Sequence, residues 1–191
     1  MKTFLQIGAA SDGAWGIERL KKGYIGYFVE PHPGNVVELH RVLSEKQLLN
    51  QCEIFQIGIW EKSGIQRFNI VEKFLSDATV SSHLDVTHEY YTKKEEKYGK
   101  PYLRKTHSHI YIFCITLSDL LSLTGYCHEV RIDIEGAEVP ILKNHLWQEL
   151  PDRLYVEYHG MTHINDTEKV LYNQGFVNSK KGMNRVYEVA K

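Results

Sequence analysis

No stretch of this 191-residue chain stays apolar long enough to cross a bilayer, and no run of one charge dominates it. Twenty-three Lys and Arg stand against 24 Asp and Glu, a formal net charge of -1, so there is no electrostatic reason to expect nucleic acid or an anionic membrane as partner. The three cysteines, Cys52, Cys114 and Cys127, are odd in number and lack metal-ligand spacing. That argues against a disulfide framework and for reduced, packed thiols in a cytoplasmic compartment. Internal repeats, low-complexity tracts and linkers are also missing, which leaves one domain large enough to bury a continuous core. The start, Met1 to Leu5, has a faint look of a secretory signal, but Gln6 and Asp12 interrupt it and it reads as a first strand.

What is present is alternation. Apolar, β-rich runs at Phe4 to Ile7, Tyr24 to Val29, Ile54 to Ile59, Val130 to Ile134 and Leu154 to Val156 are separated by helical patterns. The helices fall at Trp15 to Lys22, Gly34 to Leu49, Leu117 to Leu123, Val139 to Leu146 and Asp166 to Asn173. Strand alternating with helix predicts a parallel, doubly wound α/β sheet with right-handed connections. Phe176 to Val189, divided by Lys181-Gly182, reads as a terminal antiparallel hairpin. The exception is 71–109, polar, rich in Tyr, His and Lys, and too long for a simple connection. It reads as a lid, with a disordered insertion as the competing reading.

Gly8-Ala9-Ala10-Ser11-Asp12-Gly13 follows the first strand directly, and a helix starts soon after. Small residues at such a turn let a ligand approach the backbone, and free amides at the helix start offer hydrogen bonds. Glu30 closes the next strand about 20 residues on, where an acid accepts hydrogen bonds from ribose hydroxyls. Pro31-His32-Pro33 then stops the strand. Turn plus acid suits an adenosine-bearing ligand. Nicotinamide dinucleotides and S-adenosylmethionine both use this layout, but the turn lacks the three-glycine spacing that admits a pyrophosphate, which favours the methyl donor.

Arg131-Ile132-Asp133-Ile134-Glu135-Gly136-Ala137-Glu138 places acids on one face of an otherwise apolar strand. Burying unpaired carboxylates costs several kcal/mol, so they belong in a polar crevice at the strand's end or on a solvated edge. Asp133, Glu135, Glu157 and His159 all fall at C-terminal ends of predicted neighbouring strands and are candidates for a general base; a divalent ion is their alternative use. His159 suits proton transfer near neutrality. Glu138 is equally well explained as a helix cap, and Arg131 as a counter-charge to its acidic neighbours. His83, His88, His107 and His109, with Tyr90, Tyr91, Tyr98 and Tyr102, populate the lid, where rings and imidazoles would meet a carbohydrate-like substrate.

Taken together, Phe4-Leu5-Gln6-Ile7-Gly8-Ala9, Phe28-Val29-Glu30-Pro31, Ile115 to Leu121, Arg131 to Glu138 and Val156-Glu157 resemble the FkbM-type S-adenosylmethionine-dependent methyltransferases, in that family's order and over nearly the whole chain. The resemblance implies a class I methyltransferase (Rossmann-like) fold: a mostly parallel seven-stranded sheet, its last strand antiparallel, helices on both faces. It implies transfer of methyl to a hydroxyl of a small sugar-like or natural-product-like acceptor; no metal site is assigned. The turn residues Gln6, Gly8, Ala9, Ala10 and Gly13 would hold the methionine end of the cofactor. Glu30, with Pro31 beside it, would hold the ribose; Gly58 and Ile59 would lie near adenine; and Asp133 would face the sulfonium. Two departures stand out: family members commonly have an acid where this chain has Gln6, and the turn is one residue longer. The Gln6 departure and the absence of an unmistakable base motivate the alternative of a non-catalytic nucleoside-binding module.

Overall fold

The computed structural model describes residues 1–70, 83–84, 108–158, 164–180 and 184–189. Its first half gives β1 (Thr3–Ile7), α1 (Ala14–Leu20), β2 (Ile25–Val29), α2 (Pro33–Glu45), β3 (Cys52–Phe55), β4 (Gly58–Ile59), β5 (Gly64–Ile70) and β6 (His83–Leu84). The second gives β7 (Ser108–Ile115), α3 (Leu117–Thr124), β8 (Glu129–Ile132), α4 (Glu138–Asn144), β9 (Arg153–Glu157), α5 (Ile164–Asn173), β10 (Phe176–Lys180) and β11 (Asn184–Val189). Seven strands form the main sheet in the order β10-β11-β9-β8-β1-β2-β3. Only β11 runs against its neighbours, so the expected class I arrangement, last strand antiparallel included, is present.

Strand alternation sorts the core into two layers. On β1, Leu5 and Ile7 join Val130, Ile132, Leu154 and Val156 under Leu117, Leu120, Ile141, Leu142 and Leu171 of α3, α4 and α5. Phe4 points the other way and meets Phe28 with Ile17, Leu20, Leu39 and Leu43 of α1 and α2. Past α1, that second face is less covered: Arg131, Tyr155 and Glu157 are half-buried and Asn184 is exposed. Local signals fix the ends. His32 Nδ1 accepts from the Asn35 N–H at 3.2 Å while Pro33 supplies the fixed φ of a first helical residue. Thr116 and Asp119 form a reciprocal capping box at α3. At the far edge the Glu168 carboxylate of α5 gathers Asn178, Arg185 and Tyr187, and Tyr187 shares a buried hydroxyl contact with Tyr158.

Two departures concern strands. The run Ile54 to Ile59, read as one strand, is two: β3 pairs with β2, whereas Gly58 and Ile59 pair with Cys114 and Ile115. That pairing belongs to a second sheet, β4-β7-β5-β6, which the sequence reading did not contain. Of the 71–109 segment proposed as a lid, only 83–84 and 108–109 lie among the described residues, as parts of β6 and β7. Phe68, Ile112 and Cys114 make a third packed cluster beneath this sheet. Each cluster holds or touches one cysteine, and burial pushes all three thiols up to about 11, which suits packing rather than chemistry. Among the described residues no helix is long and apolar enough to cross a membrane.

His145, just past α4, is buried against Trp147, with ring centroids 4.7 Å apart. Its Nδ1 meets Ser118 Oγ at 3.1 Å, and burial pushes its pKa down to about 4. Between that value and the ordinary 6.5, the unfolded chain binds a proton that the folded chain rejects, so His145 removes stability as pH falls through this window. The effect, at ~1.4 kcal/mol per unit, reaches about 3 kcal/mol near pH 4 and vanishes above 6.5. Urea midpoints of wild type and His145→Gln at pH 7 and 4.5 should show the acid-induced loss to be smaller in the variant.

Candidate active site

The order of the main sheet reverses beside β1, which has β2 on one side and β8 on the other. A crevice opens beyond the C-terminal strand ends at such a point. It is present here as a cleft of about 720 Å³ counting its open mouth, within the range of small-molecule sites. Two loops build its floor. After β1 the Gly8 and Ala9 N–H groups both donate to Val29 O, at 2.9 and 3.1 Å, and Ala10 is left-handed with φ 53. After β8 the Asp133 N–H donates to Ile7 O at 3.0 Å, and Glu135 is left-handed with φ 52. Non-glycine residues in this region are strained, and both line the cleft.

A buried carboxylate clamps each loop. Glu30 Oε2 accepts from Ala10 N–H at 2.9 Å, and Oε1 accepts from His32 N–H at 2.9 Å and Asn35 Nδ2 at 3.1 Å. Burial pushes the Glu30 carboxyl above its ordinary value, and these three hydrogen bonds pull it back down. Glu138, 1% exposed, accepts from Ile134 N–H at 3.1 Å and from Gly136 N–H at 3.0 Å. These bonds hold the 134–136 turn that precedes α4 and do not go to the helix's own amides.

Of the expected cofactor residues, Gly8, Ala10, Glu30, Pro31, Gly58, Ile59 and Asp133 line the cleft, as does the candidate base Glu135. Gln6, Ala9 and Gly13 do not. Gln6 is buried beneath α1, where its Oε1 accepts from Gly16 N–H at 2.9 Å, a bond that a carboxylate would make equally well. Ala9 packs with Phe28 and Leu39, and Gly13 faces the same two side chains. His159 lies outside the described residues. Arg131 has the counter-charge role in a different pairing: its Nη2 donates to Asp133 Oδ2 at 2.9 Å and to Glu157 Oε2 at 3.0 Å. The sequence reading missed Phe68 and Ile112, which bring the second sheet against the cleft as an apolar wall. The run Ile110 to Ile115, β-branched and aromatic, was the available signal.

In chemical terms the cleft carries three carboxylates, Glu30, Asp133 and Glu135, and no Lys, Arg or His among its lining residues. It is apolar beside Ile59, Phe68 and Ile112 and acidic beside Asp133. Among the described residues no three His, Cys, Asp or Glu side chains group as metal ligands.

The Methyltransferase FkbM domain profile matches residues 6–177, nearly the whole chain and every element of the cleft. The chain belongs to the FkbM methyltransferase family. This FkbM domain is accordingly an S-adenosylmethionine-dependent methyltransferase. Comparison with curated proteins returned no match. Among solved structures, the catalytic domain of human METTL16 in complex with a 3′UTR hairpin has a TM-score of 0.51 at 10% identity, covering 99% of this chain and 63% of that one. The precorrin-6y C5,15-methyltransferase of Geobacter metallireducens gives 0.49 at 12%, covering 97% and 78%. Fibrillarin of Methanococcus jannaschii gives 0.49 at 10%, covering 100% and 67%. At 10% identity the likeness of the METTL16 domain to this FkbM domain is one of fold.

The geometry makes Gly8 the least replaceable residue of the site. A Cβ there would stand 1.7 Å from Asp133 O, at a φ of +80. Gly23, with φ +81, has nothing within 4 Å of its Cβ position. Gly23→Ala should therefore cost only the left-handed strain, about 1–2 kcal/mol. Gly8→Ala should cost about 3 kcal/mol or more and abolish binding of S-adenosylhomocysteine, read by urea unfolding and calorimetry.

Proposed function

We propose that this FkbM domain methylates a hydroxyl oxygen of a small sugar-like or natural-product-like acceptor. The observation that carries the donor half of this reading is the charge of the cleft: three carboxylates and no cation, which favours a sulfonium and disfavours a pyrophosphate. The acceptor half rests on the acids at the β8 and β9 ends, since oxygen methylation needs little beyond positioning and a proton acceptor. The overall charge of -1 speaks against nucleic acid as acceptor, whatever the METTL16 structure holds. The non-catalytic alternative drew on Gln6 and on the absence of an unmistakable base; the Gln6 to Gly16 bond accounts for the first of these.

When bound, S-adenosylmethionine supplies an electrophilic methyl on positively charged sulfur. Glu30 would hold the ribose hydroxyls and the Gly8 to Ala10 turn the methionine end. Ile59, Phe68 and Ile112, all of the second sheet, would give adenine an apolar wall. Asp133, paired with Arg131, would accept the proton of the acceptor hydroxyl. Glu135 lies beside it on the strained turn.

Calorimetry should show binding of S-adenosylmethionine and S-adenosylhomocysteine but not of NAD; binding of NAD alone would overturn the reading. Glu30→Ala removes an acceptor of charge-assisted bonds worth about 1.5–3 kcal/mol, so cofactor affinity should fall roughly ten- to hundredfold in a folded variant.

Asp133→Asn keeps the shape and removes the charge. Turnover should fall far more than thermal stability. A collapsed melting temperature with normal turnover per folded molecule would make Asp133 structural.

A further inference from the structure

We propose that Asn35 is a positioning residue of the cofactor site: its side-chain amide holds the Glu30 carboxylate in place and charged, and leaves Oε2 to the ribose. The proposal rests on the methyltransferase reading above and extends it to a residue outside the Phe28 to Pro31 motif. Glu30 is 5% exposed, just past β2. An ionised carboxylate offers about four acceptor positions, and here the protein fills three. Oε1 takes the His32 N–H at 2.9 Å and Asn35 Nδ2 at 3.1 Å, while Oε2 takes only the Ala10 N–H at 2.9 Å. The open position is therefore on Oε2. Two of the donors are main-chain amides that any sequence would supply. Asn35 is the one side-chain donor to Glu30 among the described residues; it is itself 6% exposed, and it lines the cleft beside Glu30.

The position of Asn35 in α2 makes the choice of residue informative. With His32 as N-cap it is the third helical residue, a place where Glu and Gln suit a capping box and any acid suits the helix dipole. Asn is a poor helix former, yet the first turn of α2 holds no acid at all. An acid at 35 would meet Glu30 as a like charge, whereas an amide donates to it. Nor does the cap need this side chain, because the bond to His32 Nδ1 comes from the Asn35 main-chain N–H. Burial pushes the Glu30 carboxyl up, and the Asn35 bond is one of the three that oppose that push. The other ionisable groups around it are few. His32 is half-buried and pushed below its ordinary value; Asp12, on the Ala10 turn, is exposed and bonded to the Ala14 N–H; Asp133 and Glu135 line the β8 side of the cleft. From the β4 side come only Ile57, Gly58 and Ile59.

The test measures the affinity of the intact chain for S-adenosylhomocysteine by calorimetry between pH 5 and 8, with circular dichroism as the check on folding. A wild type that fails to bind would sink the methyltransferase reading itself. Where it binds, affinity should fall as acid protonates Glu30. In Asn35→Ala that fall should begin about one pH unit higher, the worth of one hydrogen bond to a charged group. In Asn35→Asp, where a like charge joins the lost donor, it should begin higher still. Added to Glu30→Ala, the Asn35→Ala change should alter affinity less than about twofold, since it has nothing left to act through. Unaltered affinity in both Asn35 variants, a loss of the same size at every pH, or an undiminished loss in the Glu30→Ala background would each overturn the proposal.

Discussion

Where β1 ends, the carbonyl of Asp133 occupies the space in which a side chain of residue 8 would begin. This contact fixes how near the ends of β1 and β8 come. It is backed by the Gly8 N–H to Val29 O and Asp133 N–H to Ile7 O bonds, which tie the end of β1 to both neighbours. The cleft starts from that junction, because the chain leaves β1 and β8 in loops that cannot close over one another. The sheet order supplies the crevice, and the missing side chain at position 8 sets its floor.

The two loops are held by the same device. Glu30 and Glu138, nearly inaccessible to water, collect backbone N–H groups from turns that each contain a left-handed non-glycine residue. Burying a carboxylate is costly, and two or three N–H bonds offset that cost only while the turn keeps its shape. Turn and carboxylate therefore stabilise each other. The result is a floor organised before any ligand arrives, which spares the cofactor the cost of ordering it.

Much of this was legible in the sequence because it is local. Gly8, Glu30 and the Asp133 to Glu138 segment announce themselves by position at strand ends, and Pro31-His32-Pro33 marks where β2 has stopped. The second sheet was not legible, for physical reasons. In β7, Tyr111 and Phe113 are exposed while Ile112 and Cys114 are buried, so an unbroken apolar run hides the alternation that would reveal a strand with one open face. In β5, apolar Ile65 is exposed and polar Asn69 buried, which blurs the pattern again. The change of partner between Phe55 and Gly58 leaves no local trace, since both halves are short and apolar. Phe68 then meets the cleft only through this sheet, which is why it escaped notice. Gln6 shows the converse: a residue inside a motif bonds to α1 and does not line the cleft.

The distribution of sulfur has an experimental use. Cys127 lies in the cluster under α3 to α5, Cys114 beneath the second sheet, and Cys52 against the α1 and α2 side. All three are reluctant to ionise. A thiol reagent can reach the buried Cys114 and Cys127 only when their own layers loosen, whereas Cys52 is partly exposed, so alkylation followed by peptide mapping would time the opening of two layers separately against a more accessible reference. The molecule thus carries two native clocks, and neither requires an engineered label.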